Sequence, residues 1–340
     1  MIDLYSDTMT KPTLAMRRCM AEADVGDEQK GEDPTVNRLQ DMVAELLGKE
    51  AAVYLPSGTM CNEISFAVWA RTGDEMILHR DSHPAHFEAG GPAYLARLML
   101  YPLDGARGLF TAEQLEEAIR PDSPHYPRSR LVEIENTHNM GGGSIWPLAQ
   151  LQGVCAKAHQ YGLMTHLDGA RLLNAVVATG IPAMEYAEPF DSVWIDLSKG
   201  LGCPVGAVLA GSREFIKDAR RLKHLFGGAM RQAGIIAAAG VYALEHHVAR
   251  LAEDHAHATM LAQALAELPS VCLDPAEVET NIVIFDVAAS GRAAEQVSEQ
   301  LEKAGVRVSV MGRTKLRAVT HLDVTRQDIE RAMAVFRQVL

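Results

Sequence analysis

Residues 192–202 read Ser-Val-Trp-Ile-Asp-Leu-Ser-Lys-Gly-Leu-Gly, a short apolar run followed by a lysine and two glycines. The pattern predicts a buried strand over residues 192–197, with Lys199 directly after its end. In an open α/β sheet, ligands bind in the crevice beyond the carboxyl ends of the strands. The amine of Lys199 can point into that crevice, where partial removal from water favours Schiff-base chemistry. Taken alone, such a lysine is also typical of a surface loop.

Asp168 and Arg171 follow another strand-like run, in the sequence Thr-His-Leu-Asp-Gly-Ala-Arg. A carboxylate at the bottom of a pocket can keep a pyridine nitrogen protonated, and an arginine three residues later can reach the same ligand. The alternative is a helix-capping aspartate with an arginine on the first turn. His83 also follows a predicted strand and can stack on an aromatic cofactor or relay a proton. With 13 histidines in the chain, a surface or core position is its ordinary alternative.

Residues 56–60, Pro-Ser-Gly-Thr-Met, open a predicted helix after a third strand-like run. Backbone N–H groups at such a helix start can hold a phosphate, although a plain strand-to-helix turn has the same features. Arg231 follows a glycine-rich entry into a long helix, and Arg317 lies in a predicted strand. Either guanidinium could bind a carboxylate in bidentate fashion, or remain a surface charge.

Strand-like and helix-like segments alternate through most of the chain. One predicted helix begins at Asp33-Pro34 and ends near Gly48, another opens with a capping box at Thr111, and a third covers residues 148–161. Short buried strands between helices predict an α/β fold with a mainly parallel sheet covered on both faces. The predicted strands are residues 51–55, 75–79, 131–134, 163–167, 192–197 and 205–210.

The order of elements changes after about residue 250. A long helical stretch begins near Met230 and continues past His257. Few strands and two helices then predict a smaller α+β domain. We expect a large α/β domain over residues 1–250, including the N-terminal segment, and a small C-terminal domain over residues 251–340. The elements predicted in the latter are strands 281–287, 307–310 and 316–321 and helices 293–304 and 325–339.

Composition argues against several classes of function. The formal net charge of −12 is unlike that of a phosphate-backbone binder, so no nucleic-acid partner is expected. No apolar run approaches the ~20 residues of a membrane span, and no signal peptide is visible, so we expect a cytoplasmic protein without a membrane partner. The five cysteines form no C-x-x-C pair, so neither a disulfide framework nor a metal site is expected.

Eight short motifs follow one another along the chain. They are Ser6-Asp-Thr, Gly31-Glu-Asp-Pro-Thr-Val-Asn, Pro56-Ser-Gly-Thr-Met, Phe87-Glu-Ala-Gly-Gly, Glu135-Asn-Thr-His-Asn, His166-Leu-Asp-Gly-Ala-Arg, Ser198-Lys-Gly-Leu-Gly and Met230-Arg-Gln-Ala-Gly. In this order they resemble the threonine aldolase family, a fold-type-I pyridoxal-phosphate group of the β-eliminating lyases. The likeness runs nearly the whole chain and is strongest from residue 3 to about residue 235. It implies the fold of aspartate aminotransferase.

The resemblance implies a role for each candidate residue. Lys199 would form the Schiff base with pyridoxal 5′-phosphate, and Asp168 would bond the pyridine nitrogen. Arg171 would lie near the cofactor's phenolic oxygen and the substrate carboxylate, and His83 would stack on the ring. The remaining implied contacts are Gly58 and Thr59 with the phosphate, Arg231 with a phosphate in a neighbouring subunit's site, Ser6 and Arg317 with the substrate carboxylate, and His125 with the substrate hydroxyl.

The reaction implied is cleavage of L-threonine, L-allo-threonine or a related β-hydroxy-α-amino acid to glycine and an aldehyde. The base for the β-hydroxyl would be His83, or a water held by His83 and His125. The family is usually tetrameric, which implies a homotetramer with shared active sites.

Several positions depart from the family pattern: Lys30 replaces a usual tyrosine and His224 a usual lysine, Ala229 ends a usual triple glycine, and Pro84 follows His83. They leave the preferred substrate open. The alternatives are a bulkier β-hydroxy amino acid such as phenylserine, a β-elimination, or, in another class, a non-catalytic cofactor-binding scaffold.

Overall fold

The computed structural model describes residues 1–340. Its strands are β1 (Ile2–Asp3), β2 (Ala51–Leu55), β3 (Glu75–His79), β4 (Met99–Leu103), β5 (Ser129–Glu135), β6 (Met164–Gly169), β7 (Ser192–Asp196), β8 (Ala207–Gly211), β9 (Ile282–Asp286), β10 (Val306–Arg307), β11 (Ser309–Val310) and β12 (Lys315–Val319). Its α-helices are α1 (Leu14–Ala21), α2 (Pro34–Leu46), α3 (Gly58–Trp69), α4 (His83–His86), α5 (Gly91–Tyr94), α6 (Ala112–Ala118), α7 (Leu148–Gln160), α8 (Leu172–Thr179), α9 (Ala183–Ala187), α10 (Arg213–Leu225), α11 (Gly234–His246), α12 (Leu251–Ala266), α13 (Ala294–Lys303) and α14 (Arg326–Val339). Single 3-10 turns lie at Asp7–Met9, Glu28–Lys30, Ala106–Gly108, Pro275–Glu277 and Ala288–Ser290.

A seven-stranded sheet forms the centre of the molecule, in the order β2-β8-β7-β6-β5-β3-β4. All its strands run parallel except β8, which is antiparallel to both neighbours. The prediction of a mainly parallel sheet is therefore confirmed. The strand β4 is absent from the predicted strands because it lies at the sheet edge, is partly exposed and contains Pro102. Its backbone still pairs with β3 throughout.

Local capping signals place the helices where the sequence predicts them. Asp33 caps α2 by accepting the N–H groups of residues 35 and 36, and Pro34 occupies its first turn. Thr111 and Gln114 form the predicted capping box of α6. The stretch from Met230 past His257 is not one helix, however, and this expectation is wrong. The helical conformation is interrupted between α11 and α12, where the side chain of the buried His247 forms a hydrogen bond with the Leu201 carbonyl at 2.7 Å.

A smaller unit follows the large sheet along the chain. In it β11, β12 and β9 form an antiparallel sheet. Helices α12, α13 and α14 pack a second apolar core that includes Leu261, Leu301 and Phe336. The division at residue 250 remains a prediction. The N-terminal segment, expected to belong to the large domain, instead packs against the smaller unit. Strand β1 pairs with β10, and Leu4 packs into this second core. No helix of the chain has the length and apolar character required to cross a membrane.

Candidate active site

A cavity of about 200 Å³ opens at the carboxyl ends of the parallel strands. Strands β6 and β7 end beside it, and the segments after β2, β3 and β5 complete its wall. Because parallel strands deliver their carboxyl ends to one edge, residues far apart in sequence meet there. Six of the predicted residues line the cavity: Gly58, Thr59, His83, Asp168, Arg171 and Lys199.

Lys199 lies in a tight turn after β7. Its Nζ is 3.1 Å from Oδ2 of Asp196 and 5.7 Å from the centre of the Trp194 ring. The other oxygen of Asp196 accepts hydrogen bonds from the backbone N–H and the hydroxyl of Ser198, at 2.7 and 2.8 Å. Gly202 closes the turn by donating to the Lys199 carbonyl, with a positive φ of 76° that favours glycine. The lysine side chain is only 16% exposed. The turn therefore aims the amine into the cavity.

Asp168 lies on the floor of the cavity, at the end of β6. Its Oδ1 accepts the backbone N–H of Ala170 at 3.0 Å, and its Oδ2 accepts from Nδ2 of Asn62 at 2.9 Å. Burial raises the pKa of Asp168 to about 6 and the charge of Glu135 adds to the rise, while Lys199 and His83 act in the opposite direction. Such a carboxylate favours a cationic hydrogen-bond donor opposite it, as a protonated pyridine nitrogen would be.

A directional chain of hydrogen bonds fixes the amide of Asn62 behind Asp168. Trp69 donates to the hydroxyl of Ser192, which lies 2.8 Å from Nδ1 of His166. Burial lowers the pKa of His166 to about 3, so its ring is neutral and donates through Nε2 to Oδ1 of Asn62, at 3.0 Å. Trp194 donates to the same oxygen at 2.6 Å. The amide NH₂ must then face the carboxylates, where Nδ2 reaches both Asp168 and Glu88.

The start of α3 has the geometry of an anion site. Ser57 caps the helix by accepting the N–H of Met60 at 3.2 Å. Gly58 faces the Trp194 ring so closely that a Cβ at residue 58 would lie 2.2 Å from a ring carbon. The absence of a side chain makes room for the Trp194 ring, and Gly58 and Thr59 line the cavity at the positive end of a twelve-residue helix.

His83 stands on the wall of the cavity, at the start of α4. Its Nδ1 is 2.8 Å from Oε1 of Glu88, and its backbone N–H donates to Oε2 of Glu135 at 2.9 Å. Burial lowers the pKa of His83, but the hydrogen bond with Glu88 and the charges of Asp168, Glu88 and Glu135 outweigh it, so the pKa lies above its ordinary value. Since Glu88 occupies Nδ1, Nε2 is the nitrogen left to act on a ligand.

The residues predicted to bind the substrate carboxylate already form hydrogen bonds with other side chains or backbone groups of the protein. Arg171 donates to both oxygens of Asp7 at 2.7 Å, and both side chains are buried. Ser6 is buried and caps the turn that contains Asp7 rather than lining the cavity. Arg317 donates at 2.6 Å to Oδ1 of Asn139, which does line it. Burial lowers the pKa of Arg317, and the positive charge of Arg171 adds to the effect.

Besides Ser6 and Arg317, two more predicted site residues do not line the cavity within one chain. His125 is exposed in the loop before β5, whereas the cavity lies at the other end of that strand. Seven residues at ~3.3 Å each separate the two ends by roughly 20 Å. The side chain of Arg231 is 62% exposed and pairs with Asp27. Their placement in one chain does not test the predicted roles, and both roles remain predictions.

Several polar residues of the site are absent from the sequence-based candidates. Asn62 and Glu63 carry an amide and a carboxyl group inside a largely apolar helix, a signal that could have identified them. Glu88 and Glu135 fall in motifs quoted above, and Asp7 adjoins Ser6. No group of three or more His, Cys, Asp or Glu side chains is placed to hold a metal ion.

Comparison with known proteins places this site in a family. A family model described as beta-eliminating lyase matches residues 3–290. Low specificity L-threonine aldolase of Escherichia coli (strain K12) is 42% identical over 341 residues, which cover 100% of this chain and 99% of that protein. Low-specificity L-threonine aldolase 1 of Arabidopsis thaliana is 38% identical, covering 100% and 96%. The structure of Leishmania major threonine aldolase matches with a TM-score of 0.84, at 20% identity and 100% coverage of both chains, which confirms the predicted fold.

Proposed function

Because this chain belongs to the β-eliminating lyase family, we propose that it is a pyridoxal-phosphate-dependent aldolase that cleaves threonine or a related β-hydroxy-α-amino acid to glycine and an aldehyde. One observation carries the proposal: Lys199 and Asp168 line a single cavity, at the ends of neighbouring strands. An amine and a buried carboxylate set in this way match the two reactive ends of the pyridoxal ring.

The residues present fit this cofactor. Lys199 would supply the amine that tethers it, Asp168 would face the pyridine nitrogen, and the α3 start with Gly58 and Thr59 would receive the phosphate. When bound, pyridoxal phosphate supplies the electron sink for the pair released from the broken Cα–Cβ bond.

The chain's own residues position the substrate and move its protons. Nε2 of His83, or a water on it, takes the β-hydroxyl proton, since Nδ1 is held by Glu88. Arg317 and Arg171 attract the substrate carboxylate, with the charge of Arg171 already moderated by Asp7. Arg171 therefore orients the substrate. Arg317, which has no carboxylate partner in the protein, supplies the positive charge for the substrate carboxylate.

The test compares wild type with Lys199→Ala on L-threonine, L-allo-threonine and phenylserine. Wild type should release glycine and aldehyde from at least one of them, and Lys199→Ala from none. Lys217→Ala, an exposed lysine on α10, is the matched control and should behave as wild type. Ammonia in place of glycine would favour β-elimination, and unchanged activity in Lys199→Ala would refute the assignment. Absence of any turnover in wild type would favour the scaffold alternative.

We further propose a homotetramer whose neighbours supply His125 and Arg231 to the shared sites. Tyr94 and Leu225 are 83% and 74% exposed, which is unusual for large apolar side chains and suits a subunit contact. Mixing refolded Lys199→Ala and His125→Ala subunits should restore activity if His125 serves a neighbour's site. A lack of recovery in hybrids shown to have formed would oppose this. The five free thiols suit the proposed cytoplasmic location.

A further inference from the structure

Two buried glutamates lie behind His83 with too few hydrogen-bond donors. Glu63 on α3 and Glu88 before α5 are 1% and 4% exposed. Both oxygens of Glu63, and Oε2 of Glu88, lack any hydrogen-bond partner. Two adjacent carboxylates buried without donors are strongly unfavourable, because each charge is desolvated and repels the other. A single proton between them removes one charge and supplies the missing donor.

The existing contacts decide which glutamate carries that proton. Oε1 of Glu88 already accepts from Asn62 at 2.7 Å and pairs with Nδ1 of His83 at 2.8 Å, the pattern expected of a carboxylate. Glu63 accepts nothing and lies within hydrogen-bonding reach of Glu88. Burial, followed by the charge and the hydrogen bond of Glu88, raises the pKa of Glu63 to about 9. Glu63 is thus the carboxylic acid of the pair at neutral pH.

The fold makes room for this acid at Gly91. A Cβ at residue 91 would lie 2.1 Å from Oε1 of Glu63, so a larger residue there would displace the carboxyl group. Glu63 does not line the cavity, and it can influence a ligand only through Glu88 and His83. The charged group that faces Glu63 is Glu88, and those that face His83 are Glu88, Asp168 and Glu135.

We propose that Glu63 and Glu88 share one proton, and that the hydrogen bond from Glu63 sets the pH at which His83 becomes a base. By accepting this bond, Glu88 becomes a weaker partner for the imidazolium form of His83. Glu88 still holds the proton of neutral His83 on Nδ1, which leaves the lone pair of Nε2 toward the cavity. Glu63 is a positioning residue in this arrangement. The kinetic consequence rests on the proposed function, whereas the shared proton does not.

The test uses the holoenzyme and the variants Glu63→Gln and Glu63→Met. Infrared spectra at neutral pH should show a protonated carboxyl band that Glu63→Gln lacks. Glutamine keeps an N–H donor toward Glu88, so the pKa of His83, followed by NMR of labelled histidine, should stay near its wild-type value. Methionine removes the donor, and the pKa of His83 should rise by roughly one unit. The acid limb of kcat/KM should move by the same amount.

Glu133→Gln is the matched control, because Glu133 is equally buried and has a raised pKa but, unlike Glu63, forms no hydrogen bond with Glu88. It should remove a different carboxyl band and leave the His83 pKa unchanged. If Glu63→Gln keeps every protonated carboxyl band of wild type, the proposal is overturned. An unchanged His83 pKa in Glu63→Met would also overturn it. If Glu63→Met does not fold, the infrared result decides. If wild type cleaves no β-hydroxy amino acid, the proposed function fails while the infrared and NMR results still stand.

Discussion

Nδ2 of Asn62 lies 2.9 Å from Oδ2 of Asp168, and this contact ties the floor of the cavity to helix α3. The bond favours the charged form of Asp168, against the burial that raises its pKa. The same amide nitrogen reaches Glu88, the partner of His83. One side chain therefore orients two carboxylates that serve different parts of the site.

We expect Asn62→Ala to lower kcat about tenfold or more, since two buried carboxylates lose a donor worth roughly 1.5–3 kcal/mol each. The cofactor's absorbance should also change its pH dependence, because the pKa of Asp168 rises further. Ser65→Ala on the same helix is the control, as its hydroxyl donates only to the Cys61 carbonyl. Normal turnover and spectra in Asn62→Ala would contradict the role given to this amide.

Gly58→Ala should weaken cofactor binding. The added methyl group would collide with Trp194 and displace the ring or the helix start. Equilibrium dialysis of the cofactor against wild type and variant measures the effect, for which we expect at least a tenfold loss of affinity. Gly153→Ala is the control: a Cβ there meets nothing within 4 Å, and α7 should gain roughly 0.5–1 kcal/mol. Equal cofactor affinity in Gly58→Ala would show that the ring moves aside without cost.

The raised pKa of Asp168 makes a prediction about the cofactor-free protein. Its folded form holds this proton up to about pH 6, whereas the unfolded chain releases it near the ordinary aspartate pKa of 3.8. The folded state therefore binds more protons in that window, and its stability falls as the pH rises through it. Relative to wild type, Asp168→Asn should gain up to about 3 kcal/mol of unfolding free energy between pH 4 and pH 8. Urea titrations of both proteins at pH 4 and pH 8 measure this. The same difference in unfolding free energy between variant and wild type at both pH values would contradict it.

Asp7 and Arg171 should show the opposite pH dependence. Burial raises the pKa of Asp7, but the charge and hydrogen bonds of Arg171 outweigh it and hold the pKa well below its usual range. Its stabilisation is present above the unfolded pKa and is lost as the pH falls toward the native value. Asp7→Asn leaves Arg171 buried without its counter-ion and should cost ~3–5 kcal/mol at pH 7, with a smaller difference in acid.

Asp3→Asn provides the comparison for Asp7→Asn, because the ion pair of Asp3 with Arg307 is partly exposed and should contribute about 1 kcal/mol or less. Similar losses of unfolding free energy in the two variants would mean that the buried pair of Asp7 and Arg171 contributes no more than the partly exposed pair of Asp3 and Arg307.

The candidate residues that could be predicted are those that follow strands. Lys199, Asp168 and His83 each come just after an apolar run, and a parallel sheet brings such positions together. Asn62 and Asp7 act through partners 106 and 164 residues away, so a local pattern can mark these residues but cannot reveal what they bind. The break between α11 and α12 has a similar origin, because His247 turns toward a carbonyl of another segment. Tertiary contacts decide these features, whereas strand length and caps decide the sheet.

Arg317 gives the clearest separation of substrate binding from cofactor binding. It reaches the cavity wall from β12 through Asn139, while its Nε donates to Ser309, and it has no hydrogen bond to the α3 start or to Asp168. Arg317→Gln should raise KM by about 10–100-fold, the loss of one charge-assisted contact of roughly 1.5–3 kcal/mol. The spectrum of the bound cofactor should not change. Arg313→Gln, an exposed residue before the same strand, should leave KM as it is. If Arg317→Gln instead lowers kcat at constant KM, the guanidinium acts on the reacting atoms and does not hold the substrate carboxylate.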